Sequence, residues 1–452
     1  MVTPIMMKFR LPYLCFLTLF FFMLLAPTRV NAYSVLTHEA LIDASWAKSI
    51  LPLLKHKYPQ ATDDDLRKAH AYAYGGCLIA DMGYFPFGSE YFTNLSHYVR
   101  SGDFVETLLS ESENLDEYAF ALGALCHYFG DKYGHSLATN LTVPVVYPKM
   151  EEKFGPVVTY EDDHISHSRV EISFDVLQMA RGNYAAQAYH DLIGFEVSKP
   201  VLERAFLKTY GQDINTVFGD LDLAIGTFRW SVRSLLPTVT RTAWVIKKND
   251  IKKLNPSANS HSFHYKMKRK AYYAEFGSAR QKPGFKAEVL SLLIRIIPKV
   301  GPFKALRFKD IGPEGEKLFI RSFDTVLVRY HDALAGLYLK KPNLADVDYD
   351  TGKPTQIGEY KLADKTYGDL LDKLAETKYN DLTASLKQNI LNFYGQTDTV
   401  TLAQKYPADW KKKYLDIQAI RIAVPVKADS LKTAKGVYYK LNEPAIHPSH
   451  SK

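Results

Sequence analysis

The chain has 452 residues, 46% hydrophobic and 23% charged, an ordinary globular composition with room for two or three domains. No period of 20–50 residues and no long low-complexity tract appears, which excludes a solenoid. The net charge of +8 hides an asymmetry: residues 33–240 carry 16 Lys+Arg and 27 Asp+Glu, and residues 241–452 carry 38 and 22. An acidic half suits cations, and a basic half suits phosphate-rich partners such as anionic lipid, lipopolysaccharide or nucleic acid, or presents a solvated lysine surface.

Lys8 and Arg10 precede the apolar run 11–26, and "PTRVNA" follows, ending in a small residue. Basic, apolar, cleavable is the order of a secretory signal peptide. Cleavage after Ala32 would leave Tyr33 as the first residue; an uncleaved membrane anchor is the alternative. Export would remove Cys15 and leave Cys77 and Cys126, for which a disulfide and two buried thiols are equally open. Residues 1–32 are therefore read as a signal, 33–240 as a first domain and 241–452 as a second region, and the protein as secreted or periplasmic.

The first domain reads as helices. Thr62 and three aspartates open a helix over 62–81, and Asn114 caps a longer one over 114–139. Further helices are predicted over 166–182, stopped by Gly182, over 199–211 and over 213–236. Beyond 241 the chain is basic and aromatic, then broken by Pro and Gly over 282–319. Residues 366–395 form an amphipathic helix pair or one long helix, and 419–426 a short strand. The expectation is an all-α protein, with a helical domain followed by a mainly helical basic C-terminal region.

Chemistry concentrates in the first domain. His127, Asp131 and His135 are spaced four and four, so on a helix they advance about 40° per step and form one stripe. Polar groups aimed into a partly buried space need partners, either a metal or a hydrogen-bond network. His167 and Glu171 repeat the i, i+4 spacing, with His164 as a competitor one turn earlier. Asp81 precedes an aromatic loop, His97 follows sixteen residues later, and His38 lies five residues after Tyr33, whose free amino group and carbonyl can chelate. The donors are nitrogen and oxygen, without thiolate. That mixture suits zinc, and its number suits several ions, an arrangement fitted to phosphodiester chemistry. By contrast His70, among Tyr and Ala, reads as a packed or hydrogen-bonded core residue.

In order and spacing, Tyr33, His38, Asp81, His97, His127, Asp131, His135, His167 and Glu171 resemble the zinc-dependent phospholipase C family, which shares its fold and trinuclear zinc site with the S1/P1 nucleases. The resemblance covers roughly residues 33–200. It implies one zinc on Asp81, His97, His127 and Asp131, and a second on the Tyr33 amino nitrogen and carbonyl, His38 and a bridging Asp131. A third would take His135, His167 and Glu171. It also implies that Asp81 orients or deprotonates the attacking water. Tyr33 stands where these proteins usually begin with Trp. The short Tyr33–His38 gap is nearer the nucleases, and the three residues between Asp131 and His135 are nearer the glycosylphosphatidylinositol-specific phospholipase D branch. Glu171 favours the phospholipase side. The implied function is an exported zinc phosphodiesterase of phospholipase C type acting on phospholipid-like substrates with a metal-activated water. Its basic half would hold an anionic membrane surface. The alternatives are a single-strand nuclease or a non-catalytic, zinc-stabilised envelope interaction protein.

Overall fold

Helix starts follow the capping chemistry written in the sequence. The Thr62 hydroxyl accepts from the Asp65 amide and Asp65 accepts from the Thr62 amide, a reciprocal cap that opens a helix at Asp63. Asn114 accepts from the Glu117 amide and opens the longest helix of the first half. Ser89, Asp220, Thr383 and Asp398 cap four others in the same way.

The computed structural model describes residues 35–181, 193–235, 309–339, 343–395 and 397–431, with Tyr184 and Lys252. In chain order the helices are α1 (Val35–Ser45), α2 (Leu51–Lys57), α3 (Asp63–Gly76), α4 (Glu90–Tyr98), α5 (Ser101–Ser110) and α6 (Leu115–Gly134). There follow α7 (Asn140–Val146), α8 (Pro148–Phe154), α9 (His164–Arg181), α10 (Lys199–Tyr210), α11 (Ile214–Val217) and α12 (Leu221–Trp230). The later part contributes α13 (Gly312–Gly336), α14 (Lys361–Glu376), α15 (Ala384–Tyr394), α16 (Thr399–Lys405) and α17 (Trp410–Ile422). No strand forms among the described residues, so the fold is all-α; two isolated bridges pair Val347 with Pro354 and Thr383 with Val426. The stretch 366–395 is a helix pair, α14 and α15. The short strand expected at 419–426 does not form. Ile417 and Ile420 are buried as part of α17, so packing of a helical face overrides the β-branched run. None of the described helices is long and apolar enough to cross a membrane. The leader 1–32, Tyr33 and the basic run 266–270 lie outside the described residues.

Glycines set the distance between α3 and α6. A Cβ on Gly76 would lie 1.8 Å from the Phe120 carbonyl oxygen, and one on Gly123 would lie 2.1 Å from that of Ala73. The two backbones therefore run in direct contact, which carries the Cys77 carbonyl to His127 and places an oxygen of Asp81 within 4.8 Å of a His127 ring nitrogen. Gly123→Ala forces the helices apart and is expected to destabilise the fold by about 1–3 kcal/mol or more. Gly226→Ala, where the new methyl meets nothing within 4 Å, is expected to leave the melting temperature unchanged or raise it. Paired thermal melts check both.

The later helices share one core with the earlier ones. Along α13, Phe319 packs on Phe174 with ring centroids 4.8 Å apart, and the Tyr330 hydroxyl donates to the Leu122 carbonyl at 2.9 Å. Cys77 and Cys126 are free, buried thiols. His70 stacks on Trp46 at 3.8 Å and holds Asp43 at 2.9 Å, the core role its neighbours suggested.

Candidate metal centre

Four elements converge on Asp131. Asp131 and His127 lie one turn apart on α6, with His127 Nε2 3.1 Å from Asp131 Oδ2. His97, at the end of α4, brings Nε2 to 3.3 Å from the same oxygen and 3.4 Å from Oδ1 of Asp81, which lies in a short 3-10 turn, Ile79–Tyr84. His38 of α1 approaches from the other side, its Nε2 3.2 Å from Asp131 Oδ1. Its ring stacks on His127 at 4.7 Å, in space left by Gly130, whose Cβ would fall 2.9 Å from the imidazole. Asp131 thus offers one oxygen to His38 and the other to His97 and His127. All five side chains are buried.

These short separations are not hydrogen bonds. Nε2 of His97 and His127, Oδ1 of Asp81 and both oxygens of Asp131 make none. The other ring nitrogens are committed: His97 Nδ1 donates to the Thr93 carbonyl at 2.8 Å and His127 Nδ1 to the Cys77 carbonyl at 3.0 Å. Each imidazole is therefore held with its Nε2 lone pair facing carboxylate oxygens, the orientation that carbonyl partners impose on metal-binding histidines. Lone pairs facing lone pairs at 3.1–3.4 Å repel, unless a cation lies between them. Ligands on a tetrahedral ion with bonds of ~2.0–2.1 Å are separated by roughly 3.3 Å, the spacing seen here. The donor atoms of His38, His127 and Asp131, and those of Asp81, His97 and His127, each lie within 4.8 Å of one another.

A second set adjoins the first. The helix of α6 widens into a π turn, His135–Thr139, which starts at the third residue of the stripe. The His135 ring lies 4.9 Å from that of His167, whose Nδ1 is 2.7 Å from Glu171 Oε1 one turn along α9. His167 Nε2 donates to Asn140 Oδ1 at 2.9 Å, so Nδ1 carries the lone pair. Neither nitrogen of His135, neither oxygen of Glu171 and not Nδ1 of His167 makes a hydrogen bond, and all three residues are fully buried. His164 is exposed and takes no part.

Electrostatics fit the same picture. Burial drives the His38 and His167 imidazoles toward their neutral forms, against Asp131 for His38 and reinforced by the His135 charge for His167. Burial also pushes Glu171 well above the usual carboxylate range, helped by the charges of Asp131, Asp81 and Asp350. Burial opposes charge at Asp131 as well, but His127, His38 and His97 outweigh it and hold Asp131 well below that range. At His97 burial favours the neutral ring, but with no ion present Asp131 and Asp81 outweigh it and push the imidazole up to about 10, so that a proton on Nε2 takes the place a cation would fill. Without an ion, the cluster must borrow protons to balance its carboxylates.

The structure thus joins His38, Asp81, His97, His127 and Asp131 in one cluster, whereas His135, His167 and Glu171 meet only pairwise, with no three of their donor atoms within 4.8 Å of one another. Sequence reasoning missed Asn140, the tyrosines Tyr98, Tyr349 and Tyr360, and Asp350, whose Oδ1 lies 3.0 Å from His135 Nδ1. The one available signal for Asp350 was the aspartate alternation Asp346, Asp348, Asp350 in a Gly- and Pro-containing stretch.

Buried imidazoles and carboxylates on an all-α scaffold form two groups of donors that could hold metal ions. Residues 37–220 match the family model described as zinc dependent phospholipase C, the family that the motifs resemble. No curated protein and no solved structure matches the chain.

Proposed function

We propose that this protein is an exported zinc-dependent phosphodiesterase that hydrolyses phospholipid-like substrates in the manner of a phospholipase C. One observation carries the reading: within the residues that match that family, imidazole nitrogens and carboxylate oxygens face each other at 3.1–3.4 Å without hydrogen bonds. Asp81, His97, His127 and Asp131 would hold one zinc. Asp131 and His38, with the amino end of a processed Tyr33, would hold a second, and His135, His167 and Glu171 a third. Zinc, when bound, supplies Lewis acidity toward the phosphoryl oxygens and lowers the pKa of a water. Among the described ligands Asp81 is the most exposed, at 6%, and is the residue we assign to orienting that water and taking its proton.

The loop after Asp81 presents the hydrophobic side of the site. Tyr84 is buried near His97 at 6.3 Å, Phe85 packs on Phe228, and Phe87 is exposed at a backbone φ of 63°. Inserting one Phe into lipid contributes about 1.5–3 kcal/mol. Phe87→Ala is expected to slow hydrolysis of phosphatidylcholine vesicles roughly tenfold, while turnover of a soluble short-chain analogue stays unchanged.

The deciding assay presents phosphatidylcholine and single-stranded DNA to protein processed at Tyr33 and loaded with zinc. Release of phosphocholine supports the reading, and release of choline changes the bond but keeps the substrate class. Cleavage of DNA alone overturns it in favour of a nuclease. Stoichiometric zinc with no hydrolysis of either leaves the ions a structural role.

A further inference from the structure

We propose that the outer face of α17 is a docking surface for an anionic phospholipid bilayer, with an apolar stripe that enters the lipid surface and cations beside it that meet the phosphates. The proposal goes beyond the hydrolytic reading: none of its residues is a candidate metal ligand, and none lies within residues 37–220.

The helix is apolar on two sides. Its inner side buries Ile417 and Ile420 in the core. On its outer side Leu415 and Ile422 lie seven residues apart, two turns along one stripe, with Lys411 and Gln418 on the same line. Leu415 is 65% exposed, Ile422 84%, and Val424, just past the end of the helix, 86%. Tyr414 is exposed on the shoulder of the stripe. One apolar side is enough to join a core, and a second one left in water marks a contact surface.

The charges of the helix are sorted in the same way. Asp372 pairs with Lys412 and, at 2.7 Å, with Lys413, while Asp409 lies 3.3 Å from Lys413 and Asp416 3.4 Å from Lys412. These contacts occupy two lysines of the run. Lys411, Arg421 and Lys427 are exposed and form no ion pair among the described residues. The Arg421 guanidinium donates to the Gly395 carbonyl at 3.0 Å, which steadies it without neutralising it. No acid lies on the stripe itself.

An apolar stripe bordered by cations is the pattern of a helix that lies in a membrane interface. A second copy packed face to face would set the same cations against each other with no acid to answer them. A nucleic acid would answer the cations and leave the aliphatic side chains wet. An anionic bilayer answers both, and residues 241–452, with 38 Lys+Arg against 22 Asp+Glu, add a surplus of positive charge toward it.

The test is co-sedimentation of the full processed chain with vesicles of phosphatidylcholine alone and of phosphatidylcholine mixed with phosphatidylglycerol. Wild type is expected to bind the mixed vesicles roughly tenfold more tightly, an advantage that high salt removes. Leu415→Glu combined with Ile422→Glu is expected to weaken that binding roughly tenfold or more, whereas Val328→Glu, at an exposed apolar position of α13, leaves it unchanged. A fluorophore on Leu415→Cys gives a readout that needs no loss of binding. Cys77 and Cys126 are buried, so the label goes to the new thiol, and its emission is expected to shift to the blue on mixed vesicles. Equal binding to both vesicle types, equal binding by the double variant, equal loss in Val328→Glu or an unshifted label overturns the proposal. A wild-type dimer that the double variant dissolves gives the face to a second copy and overturns it too, as does retention on single-stranded DNA without vesicle binding. Binding is read without turnover, so failure here leaves the phosphodiesterase reading standing, and a chain that docks without hydrolysing lipid overturns only the latter.

Discussion

Asp131→Ala is expected to leave the purified chain without the ions of its first cluster and to lower phosphodiester hydrolysis on the order of a thousandfold. The size follows from the position of the residue: Oδ1 faces His38 while Oδ2 faces His97 and His127, so one truncation removes a donor from two sites at once. Metal acting as a Lewis acid contributes several kcal/mol at the transition state, and ~4 kcal/mol corresponds to about a thousandfold. Glu203→Ala, at a half-buried ion pair on α10, serves as the control and should change neither quantity. Metal content and rate measured on the same samples decide the matter. Full zinc content in Asp131→Ala would mean that Asp131 is not a ligand.

Stripping the metal is expected to lower the melting temperature by 10 °C or more. An ion present at a thousandfold over its dissociation constant stabilises the native state by about 4.1 kcal/mol, and each kcal/mol shifts the melting point of a large domain by roughly 2–4 °C. The loss is larger than for a surface site, because the exposed alternative is a set of unpaired buried nitrogens and oxygens around Asp131 and Glu171. Calorimetry with and without a chelator, followed by zinc add-back, measures it. Equal melting points in both states would mean that the buried groups satisfy one another without an ion.

Much of the first cluster was legible because a helix converts spacing into direction. His127 and Asp131 share a face by arithmetic alone, and so do His167 and Glu171. The caps at Thr62 and Asn114 were equally readable, since their side chains bond within three residues. What was not legible is the meeting of distant segments. His38 reaches Asp131 because Gly130 lacks a side chain, and no local pattern announces that vacancy. Asp350 joins His135 through a segment between helices, where no periodicity aims a side chain. The stripe itself was read as one surface, but the π turn at His135 leads its last member to different partners from its first two. The missed end of α17 has a similar cause: a run rich in Ile, Ala and Val suits a strand, and only the core beneath Ile417 and Ile420 decides for the helix.

The bond from Asn140 to the Asp350 carbonyl joins residues 210 apart, and that from Tyr330 to Leu122 joins residues 208 apart. Such ties impose a schedule on the growing polypeptide. While it is being synthesised, or threaded through a membrane from its amino end, the early helices emerge with all their imidazoles before the tyrosines and aspartate that cover them. Closure of those long loops comes late and is slow. For that interval the histidines are open to whatever ions the compartment holds. On the zinc reading, the compartment in which residue 350 arrives, rather than affinity alone, would then decide which metal is enclosed.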